Sequence, residues 1–138
     1  MRPVEELVLP REARDRVIAH SRAVYPAESV GLLGGDIDGV VARVAPLANL
    51  ALRGSFIADP RAQFEAERAF ARDGLVPLAV YHSHPGGTAT LSPSDRALAR
   101  PELVQLVVAV GRDGRVDMRA YRVAGTHDVS SWVEAALA

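Results

Sequence analysis

Apolar positions along this chain recur with two periods, and the changes between them mark out the elements. Over Arg11–Val24 the residues Ala13, Val17, His20 and Val24 are spaced by four, three and four, which lays them on one helical stripe. Pro10 suits the first turn of that helix, and Pro26 stops it. Ser29-Val-Gly-Leu-Leu-Gly is too short for a helix and is closed by Gly34-Gly35, so it reads as a strand. Asp36-Ile-Asp-Gly39 has turn chemistry, and Val40–Leu47 reads as the second strand of a hairpin. Residues 49–57 are irregular or extended. Asp59-Pro60 opens a second helix with an N-cap aspartate and a proline in the first turn, and Gly74 ends it after Asp73.

Leu75–His84 is a strand in which Pro77 argues for an edge or for the strand's beginning. Pro85-Gly86-Gly87 breaks it, and residues 85–91 form a loop. A short helix is expected from Pro93 to about Ala99, stopped by Pro101. Leu103–Val110 is strongly apolar and reads as a central strand, with Val116–Val123 as its hairpin partner across Arg112-Asp113-Gly114. The tail from Asp128 to Leu137 reads as a last helix. The order αββαβαββ(α) implies an α/β fold: a mixed β-sheet flanked by helices, in one layered domain covering residues 1–138.

Composition narrows the function classes. A chain of 138 residues suits one domain. A net charge of −1 argues against non-specific binding of nucleic acid, which needs a basic face. There is no cysteine, which removes disulfides, thiolate metal sites and a cysteine nucleophile. All 16 basic residues are arginine, so the chain cannot itself carry a lysine-linked modifier. The first residues do not read as a signal peptide, and no apolar run approaches the ~18 residues of a membrane span. The expectation is a cytoplasmic protein with no membrane and no nucleic-acid partner.

The candidate chemistry lies in Tyr81-His82-Ser83-His84-Pro85 and Ser92-Pro93-Ser94-Asp95, which together read His-x-His-x7-Ser-x2-Asp. Side chains two apart on a strand share a face, and residues three apart share a helical face. Two imidazoles and a carboxylate form a three-ligand set for zinc that leaves a fourth position open. Ser92 and Asp95 also fit a capping box ahead of Ala97-Leu98-Ala99, and both readings can hold together. His20 lies on the apolar stripe of the first helix, where packing is its expected role. His127, in a late loop, is expected at the surface.

A hydrolase also needs a group to move a proton, and Glu28 stands out among eight glutamates. It opens an apolar strand, where burial would raise its pKa; the plain alternative is a charge at a hairpin edge. The other seven sit near termini or among polar helix neighbours. Other signatures are missing: His-Glu-x-x-His, the two cysteines of the zinc deaminases, Gly-x-Ser-x-Gly, and a Walker or dinucleotide loop.

These residues resemble the JAMM (MPN+) metallopeptidase family in its compact prokaryotic form, whose pattern is a glutamate on an early strand followed by His-x-His-x7-Ser-x2-Asp. The spacing here shows no departure. Glu28-Ser-Val-Gly-Leu-Leu-Gly is similar to the family's glutamate strand, and Asn49, Phe56 and Asp59-Pro60 to its segment before the second helix. The resemblance covers most of residues 11–123. It implies the cytidine-deaminase-like layered architecture, one Zn2+ per chain held by His82, His84 and Asp95, Glu28 as general base and then acid, and Ser92 stabilising the oxyanion. It further implies (iso)peptidase activity after the C-terminal Gly-Gly tail of a ubiquitin-like or sulfur-carrier protein, with the tail added as a strand at an edge beside His82. The alternatives are a non-catalytic MPN scaffold and a zinc peptidase with an unrelated peptide substrate. A dimer is compatible with the sequence.

Overall fold

The computed structural model describes residues 3–51, 55–124 and 132–138. In chain order the elements are β1 (Glu6–Leu7), α1 (Arg11–Val24), β2 (Val30–Gly35), β3 (Val41–Leu47), α2 (Pro60–Arg72), β4 (Val76–Pro85), α3 (Pro93–Leu98), β5 (Val104–Val110), β6 (Val116–Val123) and β7 (Trp132–Leu137). The strands form one mixed sheet in the order β1-β7-β6-β5-β4-β2-β3. β4 with β5 and β1 with β7 are parallel, and the other neighbours are antiparallel. The sheet curls. The Val8 amide donates to the Gly39 carbonyl and the Val41 amide to the Val8 carbonyl, both at 2.9 Å. The Leu9 amide reaches the Ala138 carbonyl at 2.8 Å, so one short segment ties the last strand to the start of β3.

α1 packs on one face of the sheet. Its Ala13 and Val17 join Leu33, Ala79, Tyr81, Leu106, Val108 and Val110 in the larger core. α2 packs on the other face, where Phe70 joins Val30, Leu32, Leu47 and Leu103. The alternation of strand side chains sets this division: on β5 the even-numbered residues face α1, while Val107 and Ala109 turn to the other side beneath Ala89 and Leu91. The helices follow their sequence signals. The Asp59 side chain accepts from the Arg61 amide at 3.0 Å with Pro60 behind it, and Gly74 ends α2's turn at φ +72°.

Two expectations are corrected, the helical tail and the free strand edge beside His82. The tail is a strand, not a helix: Trp132–Leu137 pairs with β6 on one side and β1 on the other, and residues 128–131 lie outside the described residues. Glu-Ala-Ala-Leu favours a helix locally, but the edge of β6 offers it a ladder of backbone hydrogen bonds instead. β1 has only two residues, too short for any period to show. Of the two places expected for Pro77, the strand's beginning holds. β4 is bonded on both sides, and Pro77 sits at its beginning, where the register with β2 shifts between Leu33 and Gly34. There is accordingly no free strand edge beside His82, whose partners are Val30 and Val107.

The register of β2 on β4 positions everything that follows. Val30 faces His82 and Gly31 faces Tyr81. Gly31 is required at its place: a Cβ there would run into the ring of Tyr81, which is fully buried and whose hydroxyl lies 2.6 Å from His20 Nδ1. His20 thus packs as expected and also gives a buried hydroxyl its partner. Gly31→Ala should destabilise the fold by about 1–3 kcal/mol through overpacking. Urea unfolding would show this as a lower midpoint at unchanged slope; an unchanged midpoint would mean that the Tyr81 ring has room to move.

Candidate metal centre and cleft

His82 and His84 leave the C-terminal end of β4 on the face opposite α1, and Asp95 enters from the first turn of α3. Their donor atoms converge. His82 Nε2 and His84 Nε2 are 3.0 Å apart, and Asp95 Oδ2 lies 3.1 Å from the first and 3.2 Å from the second. Three ligand atoms each about 2.0–2.1 Å from a tetrahedral zinc would stand roughly 3.3–3.4 Å from one another, so the triangle needs to open by only a few tenths of an ångström. Two imidazole nitrogens and a carboxylate oxygen, all turned toward one point, make a donor set that fits zinc.

The surroundings fix each donor. His84 Nδ1 lies 2.7 Å from the Thr88 carbonyl, which can only accept, so Nδ1 carries a proton and the neutral ring presents its Nε2 lone pair to the centre. Thr88 is held in turn by the loop it belongs to: Ala89 and Leu91 are buried against Val107 and Ala109, and the Tyr121 hydroxyl donates to the Ala89 carbonyl at 2.7 Å. The His82 ring is fully buried and stacks on Phe56, with centroids 4.3 Å apart and planes 20° from parallel. Its Nδ1 is buried without a partner, so packing rather than a second hydrogen bond orients this ring.

Asp95 fills both of its expected roles at once. Ser92 Oγ accepts from the Asp95 amide at 3.1 Å, and Asp95 Oδ2 accepts from the Ser92 amide at 3.0 Å, a complete capping box. The oxygen that caps the helix is the one facing both histidines. A six-residue helix does not hold by itself, and α3 has a second anchor just beyond its end. There Arg100 bonds Glu67 of α2 at 2.8 Å and Glu102 at 2.7 Å. Ser92 Oγ also lies 3.1 Å from Ser94 Oγ.

The two carboxylates of the site are tuned in opposite directions. Burial pushes Asp95 up, but the hydrogen bonds from His82 and His84, the charge of His82 and the Ser92 amide outweigh it and hold the carboxyl well below the usual range. Burial is also the main influence on Glu28, and there it prevails: with Asp95's charge added it raises the Glu28 carboxyl, although the two histidines pull the other way. Glu28 Oε2 is buried with no hydrogen-bond partner. His84 is raised, chiefly by its bond to Asp95, against the effect of burial. Glu28, His84, Ser92 and Asp95 line one cleft of about 220 Å³, together with Ser55, Phe56, Ser94 and Leu98.

All five residues singled out in the sequence therefore meet: His82, His84 and Asp95 at one point, Glu28 and Ser92 on the wall beside it. The sequence reading missed the Thr88 carbonyl, the stacking of Phe56 and the hydroxyl of Ser83. A backbone carbonyl leaves no mark in a sequence, and a stacking partner 26 residues upstream leaves none in the spacing. His127 lies outside the described residues.

The raised pKa of His84 sets a sign for metal uptake. Its proton must leave before Nε2 can bind a metal, so affinity should weaken as pH falls, starting above the ordinary histidine value of about 6.5. Competition against a chelator should give zinc binding about tenfold tighter or more at pH 8 than at pH 6, as expected when at least one proton is displaced. Equal affinity at the two values would remove His84 from the ligand set.

Residues 10–124 match the family described as prokaryotic homologs of the JAB domain. Among similar proteins, a probable TtuB-protein conjugate cleaving protease of Thermus thermophilus is 39% identical over 110 residues, covering 78% of this chain and 72% of the relative. A desampylase of Haloferax volcanii is 33% identical over 118 residues, covering 80% and 84%. The CysO-cysteine peptidase of Mycobacterium tuberculosis is 29% identical over 120 residues, covering 85% and 82%. The solution structure of a Desulfitobacterium hafniense protein superposes with a TM-score of 0.83 at 31% identity, covering 96% of this chain and 91% of that one. A Salinibacter ruber structure gives 0.71 at 27% identity, covering 95% and 89%. With a family match over most of its length and the glutamate, His-x-His, serine and aspartate of the motif gathered at one cleft, the chain belongs to the prokaryotic JAB-domain branch of the JAMM (MPN+) metallopeptidases.

Proposed function

We propose that this protein is a zinc-dependent (iso)peptidase that hydrolyses the bond after the C-terminal Gly-Gly tail of a ubiquitin-like or sulfur-carrier protein. The observation that carries the reading is the meeting, at one cleft, of a three-donor group able to hold a metal with a half-buried glutamate whose Oε2 is buried without a partner. His82, His84 and Asp95 would hold one zinc ion. When bound, zinc would supply the Lewis acidity that eases proton loss from water and polarises a carbonyl.

The remaining steps belong to the chain's own side chains. Glu28, with its pKa raised by burial, is suited to take a proton from water and to give it to the leaving amine. The two carboxylates divide the work through their environments: Asp95 is held ionised as a ligand, while burial shifts Glu28 toward its protonated form. The Ser92 hydroxyl, already accepting from the Asp95 amide, is left to donate its own proton to the developing oxyanion. Phe56, stacked on His82, forms part of the cleft wall.

The substrate class rests on two supports. The similar proteins bear names for cleaving protein conjugates or a carrier–cysteine bond. The cleft is small, and glycine lets a substrate backbone approach closely. The chain from α3 to β5 is only residues 99–103, which leaves no insertion there to grip a second ubiquitin and favours a small carrier over a polyubiquitin chain.

The test is cleavage of a small ubiquitin-like sulfur carrier joined through its C-terminal Gly-Gly to a reporter amine. Release of the reporter by the zinc-loaded protein, abolished by chelation, supports the reading. A non-catalytic scaffold would give no release from any substrate. Release only from unrelated peptides would replace the substrate class and leave the chemistry. Glu28→Gln should keep one zinc per chain by native mass spectrometry and lose about 10²–10⁴ in turnover. Asp95→Ala should lose the metal itself. Wild-type turnover in Glu28→Gln would sink the role given to Glu28.

A further inference from the structure

Ser83 lies between the two histidines of the metal centre, yet its side chain points to the opposite face of β4. It is fully buried, and Ser21 and Ser29 beside it are nearly so. Val30 pairs with His82, which sets Ser29 opposite Ser83 and Glu28 opposite His84. In a regular antiparallel pair of this kind the two residues exchange amide-to-carbonyl bonds in both directions. Here only one of the two is made. The Ser83 amide donates to the Ser29 carbonyl at 3.1 Å, but the Ser29 amide donates to Ser83 Oγ at 2.7 Å. The regular ladder thus ends one residue before Glu28, and a side chain ends it.

The Ser29 amide and the Glu28 carbonyl belong to the same peptide unit. Its other end is also held by a side chain: Asn49 Nδ2 donates to the Glu28 carbonyl at 3.0 Å. Asn49 is itself immobilised, because its Oδ1 accepts from the Ala51 and Ile57 amides, both at 2.9 Å, and its Nδ2 also reaches the Ser55 carbonyl at 3.1 Å. One peptide plane is therefore clamped at both ends, and that plane fixes the direction in which the Glu28 side chain leaves the backbone. Ser29 Oγ meets Ser21 Oγ of α1 at 2.8 Å, which ties the same spot to the helix behind the sheet.

We propose that Ser83 is a positioning residue for Glu28: its hydroxyl intercepts the Ser29 amide, halts the β2–β4 ladder, and with Asn49 aims the Glu28 carboxyl into the cleft. Removing the hydroxyl leaves a buried amide whose regular ladder partner would be the Ser83 carbonyl. Closing that bond would draw the Glu28 backbone flat along β4 while leaving His82 and His84, on the other face of the strand, where they are. The inference rests on the reading of Glu28 as the proton carrier.

The experiment compares Ser83→Ala, Ser83→Cys and Ser21→Ala with the wild type. Cysteine keeps the buried volume but offers a poor acceptor, so it reports even where the alanine variant fails to fold. Two readouts are used. In the metal-free protein, 15N NMR follows the Ser29 amide; in both Ser83 variants its shift should move and its hydrogen exchange should quicken by about tenfold or more. In the zinc-loaded protein, cleavage of the Gly-Gly reporter conjugate should show kcat reduced by roughly 10–100-fold, with KM and zinc stoichiometry unchanged. Ser21→Ala, which leaves the amide its acceptor, should hold kcat near the wild-type value.

An unmoved Ser29 amide, loss of zinc in the Ser83 variants, or an equal fall of kcat in Ser21→Ala would each overturn the proposal. The last would assign the effect to general loosening of the buried hydroxyl cluster. Should Glu28→Gln prove fully active, the reading of Glu28 falls on that measurement, while the amide readout still decides whether Ser83 holds the peptide.

Discussion

The site depends on one constraint, the antiparallel register of β2 on β4. Val30 against His82 brings the start of one strand beside the end of the other, so a glutamate 54 residues upstream of the first histidine arrives at the same cleft. Side-chain alternation does the rest. Positions 28, 30 and 32 share the face of His82 and His84, and positions 29, 31 and 33 face α1. A slip of one residue would turn Glu28 into the core of the α1 side and bring Ser29 to the metal centre. The register is guarded on both faces: Gly31 must lie over Tyr81 on one, and Val30 and Leu32 must reach Phe70 and Leu103 on the other.

Given that register, the local chemistry follows from unequal surroundings. Asp95 and Glu28 are carboxylates lining a single cleft, but Asp95 sits among the donors of His82, His84 and Ser92, while Glu28 Oε2 is buried with none. The first is kept as an anion and the second is pushed toward neutrality. Opposite shifts of this kind would let two residues of one type serve as ligand and proton carrier. The double use of Asp95 Oδ2 adds a geometric coupling: α3 cannot fray without moving a metal donor, and a metal held there would pin the helix that the capping box begins.

How far the sequence told this in advance depended on the range of each signal. Proline, glycine and aspartate at helix ends act within a turn, and they placed α1, α2 and α3 to within a residue or two. The His-x-His-x7-Ser-x2-Asp spacing is likewise local, since one strand, one loop and one helical turn carry it. Glu28 could be ranked by its apolar neighbours but not placed, because its position is a property of strand pairing. The same limit explains the tail. Trp132–Leu137 is helical by composition and a strand by its partners β6 and β1, which no window of sequence contains. Ser83 was invisible for a subtler reason: as the middle of His-x-His it looked like a spacer, and only the missing ladder bond shows what its hydroxyl does.

The pairing of β4 also constrains how a substrate can lie. A strand bonded on both sides cannot accept a third beside His82, so an extended tail does not join the sheet there. The cleft instead opens between the 55–56 segment, which Asn49 folds against the Glu28 carbonyl, and α3, which the capping box and Arg100 hold. Its two walls thus belong to two separate polar clamps, each bonded to a residue that lines the cleft: Asn49 to the Glu28 carbonyl, Ser92 to Asp95. A tail entering between them would touch both before reaching the centre.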